Sequence, residues 1–298
     1  MYELIRVSDR TYYINCPAKI GVYVADRENV YLIDSGNDKD AGKKVRQILD
    51  KNGWRLTAIL NTHSNADHIG GNRYLQGQTG CKVYSGGIEA SFTKYPVLES
   101  SFLYGGYPCK DLRHKFLLAQ ESDVSDFSEE GFPKEIEVIP LPGHFFDMVG
   151  FRTPDNVVFL ADSISSRAAL EKYAVSFIYD IGAYLETLDK VERMEAAMFV
   201  PSHGEASADI KELVRYNRDK VYEVSEQIVS ICREPIYFEK ILQEVFKRYG
   251  LTMNLEQYVL VGSTVRSYLS WLKDNGKLAI EFHDSMLLWR DNRVNHSF

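Results

Sequence analysis

The stretch LNTHSNADHIGGN, Leu60 to Asn72, packs His63, Asp67 and His68 into six residues and sets Asn65 where a further imidazole would extend a metal-binding run. The apolar LTAIL before it reads as a buried strand, and a helix is expected to begin near Asp67. Imidazole nitrogens and carboxylate oxygens are the donors that Zn2+ and similar ions take at about 2.0–2.2 Å.

Working outward, three more segments read as strands that end on a polar residue. EIEVIPLPGH delivers His144, NVVFLADS delivers Asp162 and MFVPSHG delivers His203. Upstream, TYYIN, KIGVYVAD and NVYLIDSG read as short strands. DKDAGKKVRQILDKNG reads as a helix with Asp at its start and Gly53 as its stop. Strands interleaved with helices indicate an α/β domain. Strand ends along one sheet edge can gather distant side chains into one cleft, where two ions about 3.5–4 Å apart could share a carboxylate.

THSNADH, PLPGH, FLADS, VPSHG and YLIDSG resemble, in order and approximate spacing, the motifs of the metallo-β-lactamase superfamily, and the likeness covers about residues 1–205. The resemblance implies an αββα sandwich. It also implies a first metal position made by His63, Asn65 and His144, a second made by Asp67, His68 and His203, and Asp162 bridging the two. Asp34 would be the buried carboxylate that orients the motif loop. Asn65 departs from the usual HxHxDH pattern, and an amide oxygen is a poorer ligand than an imidazole. One tight ion and one weak or absent are therefore expected, with zinc first and iron or manganese also suited to the donors. A second departure follows His144, where Phe145, Phe146 and Asp147 replace small residues. Phe145 and Phe146 are candidate pocket walls. Asp147 is either a partner for an imidazole N–H or a turn residue.

Residues 1–209 are read as the catalytic domain. Within it, residues 86–134 are poor in strand signals and rich in aromatics, and read as an insertion or lid that brings Tyr104 and Tyr107 towards the pocket. Residues 210–298 read as a helical linker followed by helix, helix and a hairpin turning at His283, Asp284 and Ser285, the layout of an α+β winged helix. That region holds 13 Lys+Arg and 12 Asp+Glu, too balanced for phosphate neutralisation. Nucleic acid is therefore not the expected partner; Tyr258 to Val261 suit packing against the first domain or a homodimer partner. His114, His283 and His296 are read as structural or surface residues.

A net charge of -7 excludes a general polyanion binder, and 45% hydrophobic content is ordinary for a globular protein. No apolar run reaches the roughly 20 residues of a membrane span, and the opening residues carry no apolar signal core. Four widely spaced cysteines read as reduced thiols of a cytoplasmic protein. The expected function is hydrolysis of a small activated acyl substrate, a thioester or lactone, by metal-bound hydroxide, with Asp67 orienting the water. The alternatives are a phosphodiesterase or nuclease, a non-heme iron redox enzyme on the same fold, or a metal-poor binding or regulatory protein.

Overall fold

The computed structural model describes residues 2–293. One sheet holds β1 (Glu3–Arg6), β2 (Thr11–Asn15), β3 (Ile20–Val24), β4 (Asn29–Ile33), β5 (Arg55–Leu60) and β6 (Lys82–Tyr84), in that spatial order. The first four strands run antiparallel, and β5 and β6 join parallel to β4. Their connections carry α1 (Lys39–Lys51), α2 (Ala66–Ile69) and α3 (Asn72–Thr79). Asp38 caps α1 by accepting from the Ala41 N–H, as the sequence led one to expect. Two eight-residue helices, α4 (Gly87–Lys94) and α5 (Val97–Tyr104), stand in the 86–134 segment.

The second sheet holds β7 (Glu137–Pro140), β8 (Val149–Arg152), β9 (Val157–Ser165) and β10 (Met198–His203), ordered β10-β9-β8-β7. Between β9 and β10 run α6 (Arg167–Tyr173) and α7 (Ile181–Arg193). The chain continues as α8 (Lys211–Ile231), α9 (Phe238–Arg248), α10 (Leu255–Asp274) and the hairpin β11 (Leu278–His283) to β12 (Met286–Asp291). Asp284 and Ser285 both have positive φ, 47° and 61°, which matches the twist of a two-residue hairpin. His296 lies outside the described residues.

Strand alternation builds the layers. On β4, Val30 and Leu32 face α1 and α3, whereas Ile33 faces the other sheet. On β9, Val157 and Phe159 meet the first sheet, whereas Val158 and Leu160 meet the helices beyond. The order is therefore helices, sheet, sheet, helices, because each sheet has two apolar faces to cover. The outer core is continuous from β9 through α7 and α8 to Val265, Leu269 and Leu272 of α10. Val259 of α10 packs with Leu103, Leu112 and Leu117 of the 86–134 segment. The face expected from Tyr258 to Val261 is thus used within the chain. Among the described residues, no helix is long and apolar enough to cross a membrane, and all four cysteines are free.

Candidate metal centre

Every candidate donor stands at or beyond the C-terminal end of a strand. His63 to His68 follow β5, His144 follows β7, Asp162 lies late in β9, and His203 is the last residue of β10. Two local devices aim them. The β9–β10 register slips at Pro201, which pairs with Ala161, and Ala161 takes φ 51°. Such bulges turn a strand residue towards a site, and here the residue is Asp162. Before His144, Gly143 has φ 120°, and a Cβ there would stand 2.3 Å from the Tyr184 backbone nitrogen, so only glycine lets this loop lie against α7.

The donors fall into two groups, each with its atoms within 4.8 Å of one another: His63, His144 and Asp162, then Asp67, His68 and His203. Asp162 touches both. Its Oδ1 is 3.2 Å from His68 Nε2, and its Oδ2 is 3.1 Å from His203 Nε2 and 3.7 Å from His144 Nε2. Asp67 Oδ2 is 3.3 Å from His203 Nε2 and 3.6 Å from His68 Nε2. Asn65 Oδ1 is 3.2 Å from His144 Nε2. Two ligand atoms of one tetrahedral ion sit about 3.3 Å apart, given bond lengths of about 2.0–2.1 Å. The spacings found here are those of ligand edges. His63 Nε2, His68 Nε2 and Asp162 Oδ1 are moreover buried without a hydrogen-bond partner. Buried polar atoms are rarely left so, and all three point into the cluster. The residues fit divalent metal.

The far side of each imidazole fixes which nitrogen faces the cluster. His68 Nδ1 donates to Asp34 Oδ2 at 2.8 Å, and His203 Nδ1 to the Pro17 carbonyl at 2.9 Å. His63 Nδ1 lies 3.0 Å from Thr62 Oγ1, which itself donates to Asp34 Oδ2 at 2.7 Å. Asp34 also accepts from the Thr62 N–H. One buried carboxylate thus orients the motif loop, the place the resemblance implied for it. Asp34→Asn would put an amide N–H2 against donors. It is expected to weaken metal binding about 10–100-fold, read by competition with a chromophoric chelator; an unchanged affinity would remove Asp34 from this role.

Charge within the cluster is divided unevenly. Burial holds His63 well below the usual histidine range, with the adjacent His68 adding to the effect; burial likewise lowers His144. Burial also disfavours charge on His68, but Asp162, Asp67 and Asp34 together raise it well above that range. Asp162 foremost pushes His203 up to about 10. Carboxylates thus surround His68 and His203, whereas burial dominates at His63 and His144.

A cleft of about 290 Å³ opens over Asn65, Asp67, His144 and Asp162. Leu103, Phe116 and Leu117 of the 86–134 segment form one wall, Phe177 another, and Glu256 and Leu260 of α10 a third. Glu99 of α5 also borders it, and its carboxylate accepts from Asn65 Nδ2 at 2.7 Å. Burial raises Glu99 well above the usual carboxyl range, against the pull of the Asn65 amide. Beside it, Glu89 accepts from the Ser64 and Asp147 N–H groups and ties the 86–134 segment to both ligand loops.

The pocket walls differ from the sequence expectation. Phe145 is fully buried and Phe146 stacks on Tyr179 at 3.9 Å, so both belong to the core beneath the cleft. Tyr107 is 74% exposed, and Tyr104 borders a separate surface groove with Arg266 and Trp271. Asp147 meets no imidazole: its Oδ2 accepts from the Ile88 N–H in the first turn of α4. Leu103, Phe116, Leu117, Phe177, Glu99 and Glu256 were not legible as cleft residues because they are spread over short or remote elements, and Leu260 was expected only to pack. The visible signal was a lone acid inside the apolar VLESSFLY.

A family model described as the metallo-beta-lactamase superfamily matches residues 16–203. An atrochrysone carboxyl ACP thioesterase from Aspergillus chevalieri is 23% identical over 220 residues, 69% of this chain and 60% of its own length. A hydroxyacylglutathione hydrolase from Rhizobium meliloti is 29% identical over 128 residues, 43% of this chain and 41% of its own. The chain therefore spans less than two thirds of the length of either relative. The crystal structure of a beta-lactamase domain protein from Burkholderia ambifaria superposes with a TM-score of 0.73 at 16% identity, covering 97% of this chain and 93% of that one. The shared fold thus extends through α8 to β12.

Proposed function

The chain belongs to the metallo-beta-lactamase superfamily, and from that membership we propose that it is a metal-dependent hydrolase of an activated acyl substrate, a thioester above all. The observation that carries the reading is the cleft itself. Paired donor groups form its floor, its walls are apolar except at Glu99 and Glu256, and no lysine or arginine is among the residues that line it. An apolar acyl group suits such walls. A phosphodiester would bring negative charge past the Glu256 carboxylate with no lysine or arginine among the lining residues to meet it. The volume, at the lower end for small-molecule sites, matches an acyl portion of a few carbons. The chain's similarity to a thioesterase and to a hydroxyacylglutathione hydrolase supports the same bond type.

When bound, a divalent ion supplies a Lewis acid and lowers the pKa of water towards neutrality. Asp67, with 38% of its side chain reaching solvent, holds the attacking water by accepting its proton in a hydrogen bond. Asp162 links the two halves of the cluster. Leu103, Phe116, Leu117 and Leu260 exclude bulk water around the acyl group, and the exposed mouth passes the leaving thiol. The donor set suits zinc, and iron or manganese equally meet its nitrogen and oxygen chemistry. The Asp67, His68 and His203 group takes the tighter ion, because Asn65 offers only a neutral oxygen to the other. We read α9, α10 and the β11–β12 hairpin as a winged helix that works by packing: α10 supplies a cleft wall instead of a nucleic-acid surface.

Metal-replete protein is expected to hydrolyse short-chain acyl thioesters, and chelation to abolish this. No turnover above a chelated control across thioesters and lactones would overturn the proposal, and preferential phosphodiester cleavage would replace it. Chelation is also expected to lower thermal stability. At free metal 100-fold above Kd, binding contributes about 2.7 kcal/mol, or about 5–10 °C in Tm for a chain of this size, read by calorimetry with and without chelator.

A further inference from the structure

We propose that Glu99 is a positioning residue for the first metal position: it holds the Asn65 side chain so that the amide oxygen, not the nitrogen, faces the ion beside His63 and His144. The inference rests on the metal-centre reading above and deepens it, since it says how an asparagine can stand where an imidazole is usual.

Asn65 is the N-cap residue of α2, a position where an asparagine oxygen normally accepts from the first-turn N–H groups. Here its side chain makes no capping bond. The amide is used elsewhere: Nδ2 donates to Glu99 Oε1 at 2.7 Å, and Oδ1 sits 3.2 Å from His144 Nε2. That second distance is a ligand edge, as argued for the rest of the cluster. A freely turning amide would present its N–H2 to the cation in part of the population and lose it as a ligand. An ionised carboxyl can only accept, and a divalent ion beside Asn65 would favour that form, so Glu99 selects one orientation. Glu99 is 4% exposed, and a carboxyl is costly to bury unless it is used. It reaches the site on α5, across 34 residues of sequence from Asn65. The 86–134 segment therefore contributes to the metal centre as well as to the cleft wall.

The test is Co2+ titration of the metal-free full-length chain, followed by competition with a chelator and by the visible spectrum of the bound ion. The parent is expected to bind in two phases, tight then weak. Glu99→Leu removes the acceptor while filling the space, and should weaken the second phase about 10–100-fold with the first unchanged. Adding Asn65→Asp to that variant should restore the second phase, because a carboxylate has two equivalent oxygens and needs no orienting partner. Should the leucine variant fail to fold, Glu99→Met, with a flexible side chain of similar reach, carries the same comparison. A second phase unaffected by loss of Glu99 would overturn the proposal. So would one lost and not restored by Asn65→Asp, which would mean that Glu99 only supports α5. A parent with a single tight equivalent would overturn this inference and leave the hydrolase reading standing. A parent that binds no metal would overturn both.

Discussion

Asp162→Ala is expected to strip metal from both positions and with it all hydrolytic activity. Among the described residues, Asp162 is the one carboxylate within 3.7 Å of His68, His144 and His203 alike. Its loss leaves three imidazoles facing each other with less negative charge to draw a cation in. Changes in the surroundings of metal ligands cost about 10–100-fold in affinity, so removing a shared ligand should cost more than about 100-fold at each position. Elemental analysis after gel filtration reads the metal, and thioester turnover reads the activity. Asp162→Asn is the companion variant: it keeps the shape but not the charge, and should bind metal weakly at best. Two retained equivalents in Asp162→Ala would show that the two groups hold ions independently, and the bridging assignment would fall.

Phe145→Ala should give the largest loss of stability. The ring is fully buried and packs within 5.0–6.4 Å, centroid to centroid, of Phe146, Phe92, Phe177, Phe102 and His63. Removing a buried phenylalanine ring costs about 3–5 kcal/mol through lost burial and the cavity left behind. In a protein of this size that is a fall in Tm of about 6–20 °C, read by calorimetry or urea unfolding. Because the ring joins the ligand loop to α4, α5 and the Phe177 loop, the variant should also bind metal less tightly. A loss below about 1 kcal/mol would mean that the site collapses around the gap, and that Phe145 does not hold these segments together.

Phe145 also marks where sequence reading stopped. The residues on either side of a ligand are visible in a sequence, but the direction their side chains take is not. His144 turns into the cleft and Phe145 away from it, because Gly143 at φ 120° sets a turn that no periodicity describes. The donors themselves were legible for the opposite reason. Each ends or follows a short apolar run that reads as a buried strand, such as Val157 to Leu160, so its place near a sheet edge was legible. The 86–134 segment lacked that support. Its helices are eight residues long, too short for a helical period to register, and Glu99, Leu103 and Leu117 act through contacts with distant parts of the chain. Leu260 belongs to the Tyr258 to Val261 stretch expected to pack, and Val259 beside it does so; Glu256 carried no signal. That both border the cleft depends on how α10 lies across α5, and a helical pattern carries no such information.

The position of α10 has a consequence for how the protein is made. All candidate donors precede Gly204, whereas Glu256 and Leu260 are among the later residues to leave the ribosome. A nascent chain therefore owns a complete ligand set while one side of its cleft is still open to the surrounding water. The candidate donors are thus in hand before the α10 wall that borders the cleft. Over generations the same arrangement lets mutations in α10 alter what enters the cleft while the candidate donors stay as they are.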